Sequence, residues 1–115
     1  MSNYNDLKIF QKVYDLILWS HPIISRFPKN ERFVLGQRME KLLMDILNNV
    51  LIINKEIEEE KQKQMKDLSH NLDKLMIMWR LSKDLKFTSI KRYGFVAEKI
   101  NEIGKMITGW QRALF

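Results

Sequence analysis

The lysines and arginines of the C-terminal half are the side chains best placed to do chemistry with a ligand. Arg92 and Lys99 stand seven residues apart on one line of a helical wheel, and Lys91, Lys105 and Arg112 lie further round, away from the apolar stripe. Arg80 and Lys83 come at the end of the preceding apolar segment. Such a set can follow a phosphate backbone as point charges and guanidinium forks without reading bases. The charge distribution agrees: of a net +6, residues 68–115 carry +5, from nine basic and four acidic groups. This bias raises local affinity for anions, nucleic acid foremost. Lys61, Lys63 and Lys66 are interleaved with acids and read as a solvated face.

Other chemistry finds little support. His21 and His70 sit in different segments, with no cysteine in the chain and no Glu-x-x-His pair of the kind that holds a di-iron centre. Asp67 and Asp73 flank His70 at three residues on either side, as charge partners on a solvated helix face would. No glycine-rich phosphate loop is present, and no serine or lysine has a general base beside it. The expectation is a protein that is not an enzyme and carries no cofactor and no metal.

The elements that must position the cations follow from the 3.6-residue period. The first helix is expected over about residues 6–20, with Leu7, Phe10, Val13, Tyr14, Ile17 and Leu18 periodic, Asn3 or Asn5 as cap, and His21-Pro22 disturbing the pattern. Phe27-Pro28 is a firm break, with Asn30 as the next N-cap. The second helix covers about residues 31–55, with the stripe Phe33, Met39, Leu42, Leu43, Ile46, Val50 and Ile53. A turn near residues 57–60 leads into a third helix over 60–85, striped by Met65, Leu68, Leu72, Leu75, Met76 and Trp79. Thr88 or Ser89 caps the fourth, which runs to about residue 113 with Ile90, Tyr93, Val96, Ala97, Ile100, Ile103, Ile107 and Leu114 as its stripe. Helices of ~25 residues are ~37 Å long. Gly94, Gly104 and Gly109 on one helix point to close approach of a neighbour, such as Trp79 over Gly104.

These elements make residues 1–115 a single domain, an all-α, up-down-up-down four-helix bundle. The apolar runs are too short to span a bilayer and the N-terminus lacks a basic leader, so a cytoplasmic protein is expected. The apolar surface exceeds what one bundle needs. Ile77, Met78, Leu81 and Leu85 stand roughly 100° or more from their helix's main stripe. Val34, Leu47, Leu51 and Ile52 do the same on the second helix, and Phe95, Met106 and Trp110 flank the fourth. Surplus of this kind marks a partner surface. Ile77, Leu81, Leu85, Phe95, Met106 and Trp110 are therefore expected at an interface between copies of the chain.

Several segments also resemble a known family. They are Arg26-Phe27-Pro28-Lys29, Arg32-Phe33-Val34-Leu35-Gly36-Gln37-Arg38, Trp79-Arg80-Leu81, Lys91-Arg92-Tyr93, and Glu102 through Trp110. Together they are similar to the accessory variability determinant (Avd) proteins of diversity-generating retroelements, over about residues 25–112. The four-helix-bundle proteins of 23S ribosomal RNA intervening sequences share the Phe27-Pro28-Lys29 break with the Arg32-Phe33-Val34-Leu35-Gly36 that follows it. The resemblance implies a pentameric, ring-like assembly of bundles that partners a reverse transcriptase and its template RNA or cDNA. It implies no active site; the chain would contribute basic surface and shape to mutagenic retrohoming. Two other readings stay open, an intervening-sequence protein and a protein-interaction scaffold that binds no nucleic acid.

Overall fold

The computed structural model describes residues 8–55 and 58–114, and among them every regular element is helical. The expected caps at Asn3 and Asn5, the start of the first helix at residues 6 and 7, and the first residue of the expected turn, Ile57, lie outside the described residues, as does the side chain of Leu114.

Helix α1 spans Lys8–Ile24. Helix α2 starts as Lys29–Glu31, winds through a π turn at Arg32–Gly36 and continues as Gln37–Ile53. Helices α3 and α4 span Glu58–Asp84 and Ile90–Leu114. Each helix packs on its two neighbours in the order α1, α2, α3, α4 and back to α1, a square bundle 43 Å long. The stripes of α3 and α4 form its core much as the periodicity predicts: Met65, Leu68, Leu72, Leu75 and Trp79 face Val96, Ile100, Ile103 and Ile107, all buried.

Several expectations need correction. α1 continues through Pro22 to Ile24 rather than ending near residue 20. Pro22 deprives the Leu18 carbonyl of its donor, but both residues lie on the exposed face, where solvent can serve it, while burial of Ile23 and Ile24 holds the last turn. The buried face of α1 is Ile9, Val13, Leu16, Ser20, Ile23 and Ile24, so Tyr14 and Leu18 point outward. Asn30 lies inside α2, whose first turn follows Pro28 without a side-chain cap. Phe33 leaves the stripe, 63% exposed. The cause is the π turn, in which the Gln37 N–H donates to the Arg32 carbonyl and the wider winding carries Leu35 and Gly36 inward and Phe33 and Val34 outward. Ile90 opens α4 exposed, one residue after the cap.

The glycines also behave differently from expectation. Trp79 does not pack over Gly104: a Cβ there would meet only Leu72 Cδ2, at an ordinary 3.9 Å, and at Gly94 and Gly109 it would meet nothing within 4 Å. The tight glycine is Gly36, where a Cβ would lie 3.1 Å from Ile24 Cγ2. That close approach of α1 and α2 accompanies the π turn. At the other end of the bundle a polar relay spans α2 and α3: Asn71 donates to Asn49 Oδ1 at 3.0 Å, and Asn49 donates to Gln64 Oε1 at 2.7 Å. Asn49 is buried, so these bonds favour one register of the two helices over its neighbours.

Glycine substitutions should therefore divide by position. Gly36→Val is expected to lower unfolding free energy by about 1–3 kcal/mol, because Ile24 is buried and β-branched and cannot yield freely. Gly94→Ala and Gly109→Ala are expected to raise it by up to about 1 kcal/mol each. Urea unfolding followed by circular dichroism measures both, and equal shifts at Gly36 and Gly94 would contradict the packing described.

Candidate nucleic-acid interface

The α1–α2 and α3–α4 corners lie at the same end of the bundle, and aromatic contacts lock them together. Phe27, in the first corner, stands edge-on to Trp79 near the end of α3, with ring centroids 6.4 Å apart and planes at 85°. It also meets Phe87, in the second corner, at 5.9 Å. Trp79 is fully buried and packs on Trp19 of α1 at 5.6 Å.

The second corner is built by local hydrogen bonds. Lys86 adopts φ 70°. The Lys86 N–H donates to the Lys83 carbonyl at 2.9 Å and the Phe87 N–H to the Ser82 carbonyl at 2.8 Å, which closes α3 in a Schellman motif. The buried Ser82 hydroxyl donates to the Trp79 carbonyl at 2.6 Å. Its one proton is thereby used, so the Thr88 hydroxyl, 2.8 Å away, is the donor between the two. Ser89 caps α4, its Oγ accepting the Arg92 N–H at 3.1 Å. Chain direction is reversed in five residues, and the cations on either side are brought together.

Residues 25–38 and 80–92 hold nine basic and two acidic side chains, a net +7 that exceeds the +6 of the entire chain. One corner brings Arg26, Lys29, Arg32 and Arg38; the other brings Arg80, Lys83, Lys86, Lys91 and Arg92, against only Glu31 and Asp84. Of the cations singled out from the sequence, Arg80, Lys83, Lys91 and Arg92 meet here. Lys83 sits 4.8 Å over the Tyr93 ring and 3.3 Å from Asp84, tying the end of α3 to the start of α4. Arg80, Lys91 and Arg92 are exposed.

The remaining three cations belong elsewhere. The helical rise puts Lys105 and Arg112 ~20 and ~30 Å along α4 from Arg92, beyond a Debye length of ~8 Å at physiological salt. Lys99, midway, lies 5.3 Å over the Phe95 ring and 3.9 Å from Glu102. Glu102 in turn bonds Lys12 of α1 at 2.8 Å; that hydrogen bond and charge hold the carboxyl below its ordinary range and raise the Lys12 ammonium. The cations at positions 26, 29, 32, 38 and 86 carry no site assignment from the sequence. A signal for them exists, since an up-down-up-down bundle puts its first and third corners at one end, but it emerges only when charge is summed by end and not along the chain.

The residues expected between copies are distributed on two helices. Ile77, Leu81 and Leu85 are 66%, 45% and 47% exposed and recur every four residues on one face of α3. Phe95 is partly exposed and stacks on Trp19 at 5.0 Å, while Met106 and Trp110 are half-buried against the bundle's own core. His21 bridges α1 to Glu40 of α2 at 3.0 Å, and among the described residues no group of three or more potential ligands could hold a metal. No described helix is long and apolar enough to cross a membrane.

A family model described as bAvd-like matches residues 7–114. No curated protein and no solved structure matches the chain.

Lys86 sets stability against charge. A residue with a Cβ in the left-handed region costs roughly 1–2 kcal/mol, and glycine is the usual occupant of that position. Lys86→Gly is expected to raise the unfolding midpoint while removing one cation from the +7 end. Thermal unfolding reads the first effect; an unchanged or lower midpoint would contradict the Schellman geometry.

Proposed function

The chain belongs to the bAvd-like family of accessory proteins, and from that premise we propose that it is a non-enzymatic subunit of a diversity-generating retroelement. In this reading it binds the element's reverse transcriptase and nucleic acid, template RNA or cDNA, and supports mutagenic retrohoming. The observation that carries nucleic-acid binding is the concentration of nine cations at the aromatic-locked end of the bundle. Several are exposed on short corners, so the backbone that carries them needs little reordering on binding. Neutralising phosphates there releases condensed counterions, the main source of affinity for a surface that reads no bases.

The assembly proposed is a homopentamer, five being the number the family resemblance implies. The apolar row Ile77, Leu81 and Leu85 supports self-association, because an exposed row of this kind gains by removal from water against a second copy. The row ends at the cationic corner, so copies joined along α3 would place their charged ends on one rim.

Two measurements test the reading. A variant carrying Arg80→Gln, Lys91→Gln and Arg92→Gln should keep the fold, since exposed substitutions change stability by about 0.5 kcal/mol or less each. Its RNA affinity should fall, with the salt dependence flattened by about one unit of slope for each phosphate that is no longer neutralised. Lys105→Gln with Arg112→Gln should change affinity much less. Equal losses in the two variants, or no binding by the parent protein, would refute the assignment of the corner end. Light scattering should give a multiple of the chain mass of 13.9 kDa, and a monomer at micromolar concentration would end the assembly proposal.

A further inference from the structure

The cationic end holds one aromatic ring that contributes nothing visible to the core. Phe33, on the π turn of α2, is 63% exposed, and the neighbouring Val34 is 59% exposed. Exposing a phenyl ring forgoes roughly 1.5–3 kcal/mol of burial, so the placement calls for a use. Shallow clefts flank the ring on both sides. One is walled by His21, Arg32 and Glu40, the other by Val34, Arg38 and Lys41. Phe33 is the ridge between them.

The cations around this ridge are uncommitted. Among the described residues Arg26, Lys29 and Arg38 form no ion pair, and the Arg32 guanidinium donates only to the Ser25 carbonyl, at 3.2 Å. The acids nearby are few: Asp45 pairs with Lys41 at 2.8 Å, Glu40 meets His21 through one oxygen at 3.0 Å while its buried Oε1 has no partner among the described residues, and Glu31 is the third. Covering Phe33 with a second copy of the same surface would set Arg32 and Arg38 against their own counterparts, a like-charge contact that is repulsive. Covering it with an apolar protein surface would bury unpaired guanidinium groups, which is costly. An exposed π face among free cations matches instead the platform on which single-stranded nucleic acid is held: bases stack on the ring and flanking phosphates meet the cations.

We propose that Phe33 is a stacking platform for an unpaired base of single-stranded RNA, with Arg32 and Arg38, which line the clefts on either side of the ring, taking the adjacent phosphates. The site rests on the nucleic-acid role inferred above and adds a preference to it. The corner cations attract any phosphate backbone, whereas the Phe33 ring engages only bases free of a duplex. The π turn is the structural device, since its wider winding is what brings the ring to the surface beside Arg32.

The test compares a single-stranded RNA oligonucleotide carrying one 2-aminopurine with an RNA duplex of the same length, each titrated with parent protein, Phe33→Ala and Phe33→Trp. The parent should quench the 2-aminopurine fluorescence on binding the single strand. Phe33→Ala should lose the quench and bind the single strand on the order of ten-fold more weakly, with duplex affinity and salt slope unchanged. Phe33→Trp should restore both. Arg32→Gln with Arg38→Gln should flatten the salt slope instead. If Phe33→Ala binds both RNAs as the parent does, the stacking site is wrong and the corner surface stands. If the parent binds neither RNA, the nucleic-acid role falls and the site with it. A change in the mass of Phe33→Ala by light scattering would assign the ring to a contact between copies and overturn the proposal.

Discussion

A run of aromatic rings across the bundle is the contact on which the rest depends. It passes from Phe95 on α4 to Trp19 on α1, to Trp79 on α3, to Phe27 in the first corner and to Phe87 in the second, with centroid separations of 5.0 to 6.4 Å. Offset and edge-on pairs of this kind contribute about 0.5–1.5 kcal/mol each beyond the area they bury. Trp79 at the centre is wholly removed from solvent, and its indole N–H has no acceptor among the described residues. An unmatched buried donor costs about 1–3 kcal/mol, and burial of the largest side chain in the core must outweigh it. The run also decides topology at this end, since a contact between Phe27 and Phe87 is possible only if both corners lie together.

That constraint has an electrostatic consequence. Nine cations held against two carboxylates repel one another, so the aromatic lock stabilises an arrangement that charge alone would spread apart. The devices at the α3–α4 corner serve the same purpose: a Schellman closure, a buried Ser82–Thr88 pair and a Ser89 cap leave the short connection without slack. Even so, the left-handed position is filled by Lys86 and not by glycine. A lysine there accepts a conformational penalty and keeps one more cation at the crowded end, a choice that stability by itself would not favour.

How much of this is legible in the sequence depends on whether the signal is periodic. The stripes of α3 and α4 from Met65 to Trp79 and from Val96 to Ile107 are read correctly because a run of buried positions at steps of three and four has a single helical solution. Phe33 is misplaced because a π turn has no periodic signature: the wider winding over Arg32–Gly36, closed by the Gln37 N–H on the Arg32 carbonyl, turns Phe33 and Val34 outward. Pro22 misleads for the opposite reason, since a local rule about proline gives way to the burial of Ile23 and Ile24 just beyond it. The glycines of α4 mislead because a missing side chain signals close packing only where a neighbour is present, and the neighbour is at Gly36. Arg80, Lys83, Lys91, Arg92, Lys105 and Arg112 are all legible as cations outside the core stripe, but a wheel projects away the ~20–30 Å along the axis that separates Lys105 and Arg112 from the corner.

The surface of the bundle is divided in a way that suits the two contacts proposed for it. Ile77, Leu81 and Leu85 run down one face of α3, while the charges gather at the end of that same helix. An interface along the row buries apolar area without desolvating most of the cations, so the cost of burying unpaired charge is avoided. Conversely, a phosphate backbone drawn to the corners need not displace a neighbouring copy. Association along α3 would multiply the corner charge around a shared rim, and avidity would then come from geometry, with each added copy binding the same strand at a high effective concentration. Under the proposed function, assembly and binding would be one design: the apolar row would set how many charged ends face the strand, and the aromatic lock what each end presents.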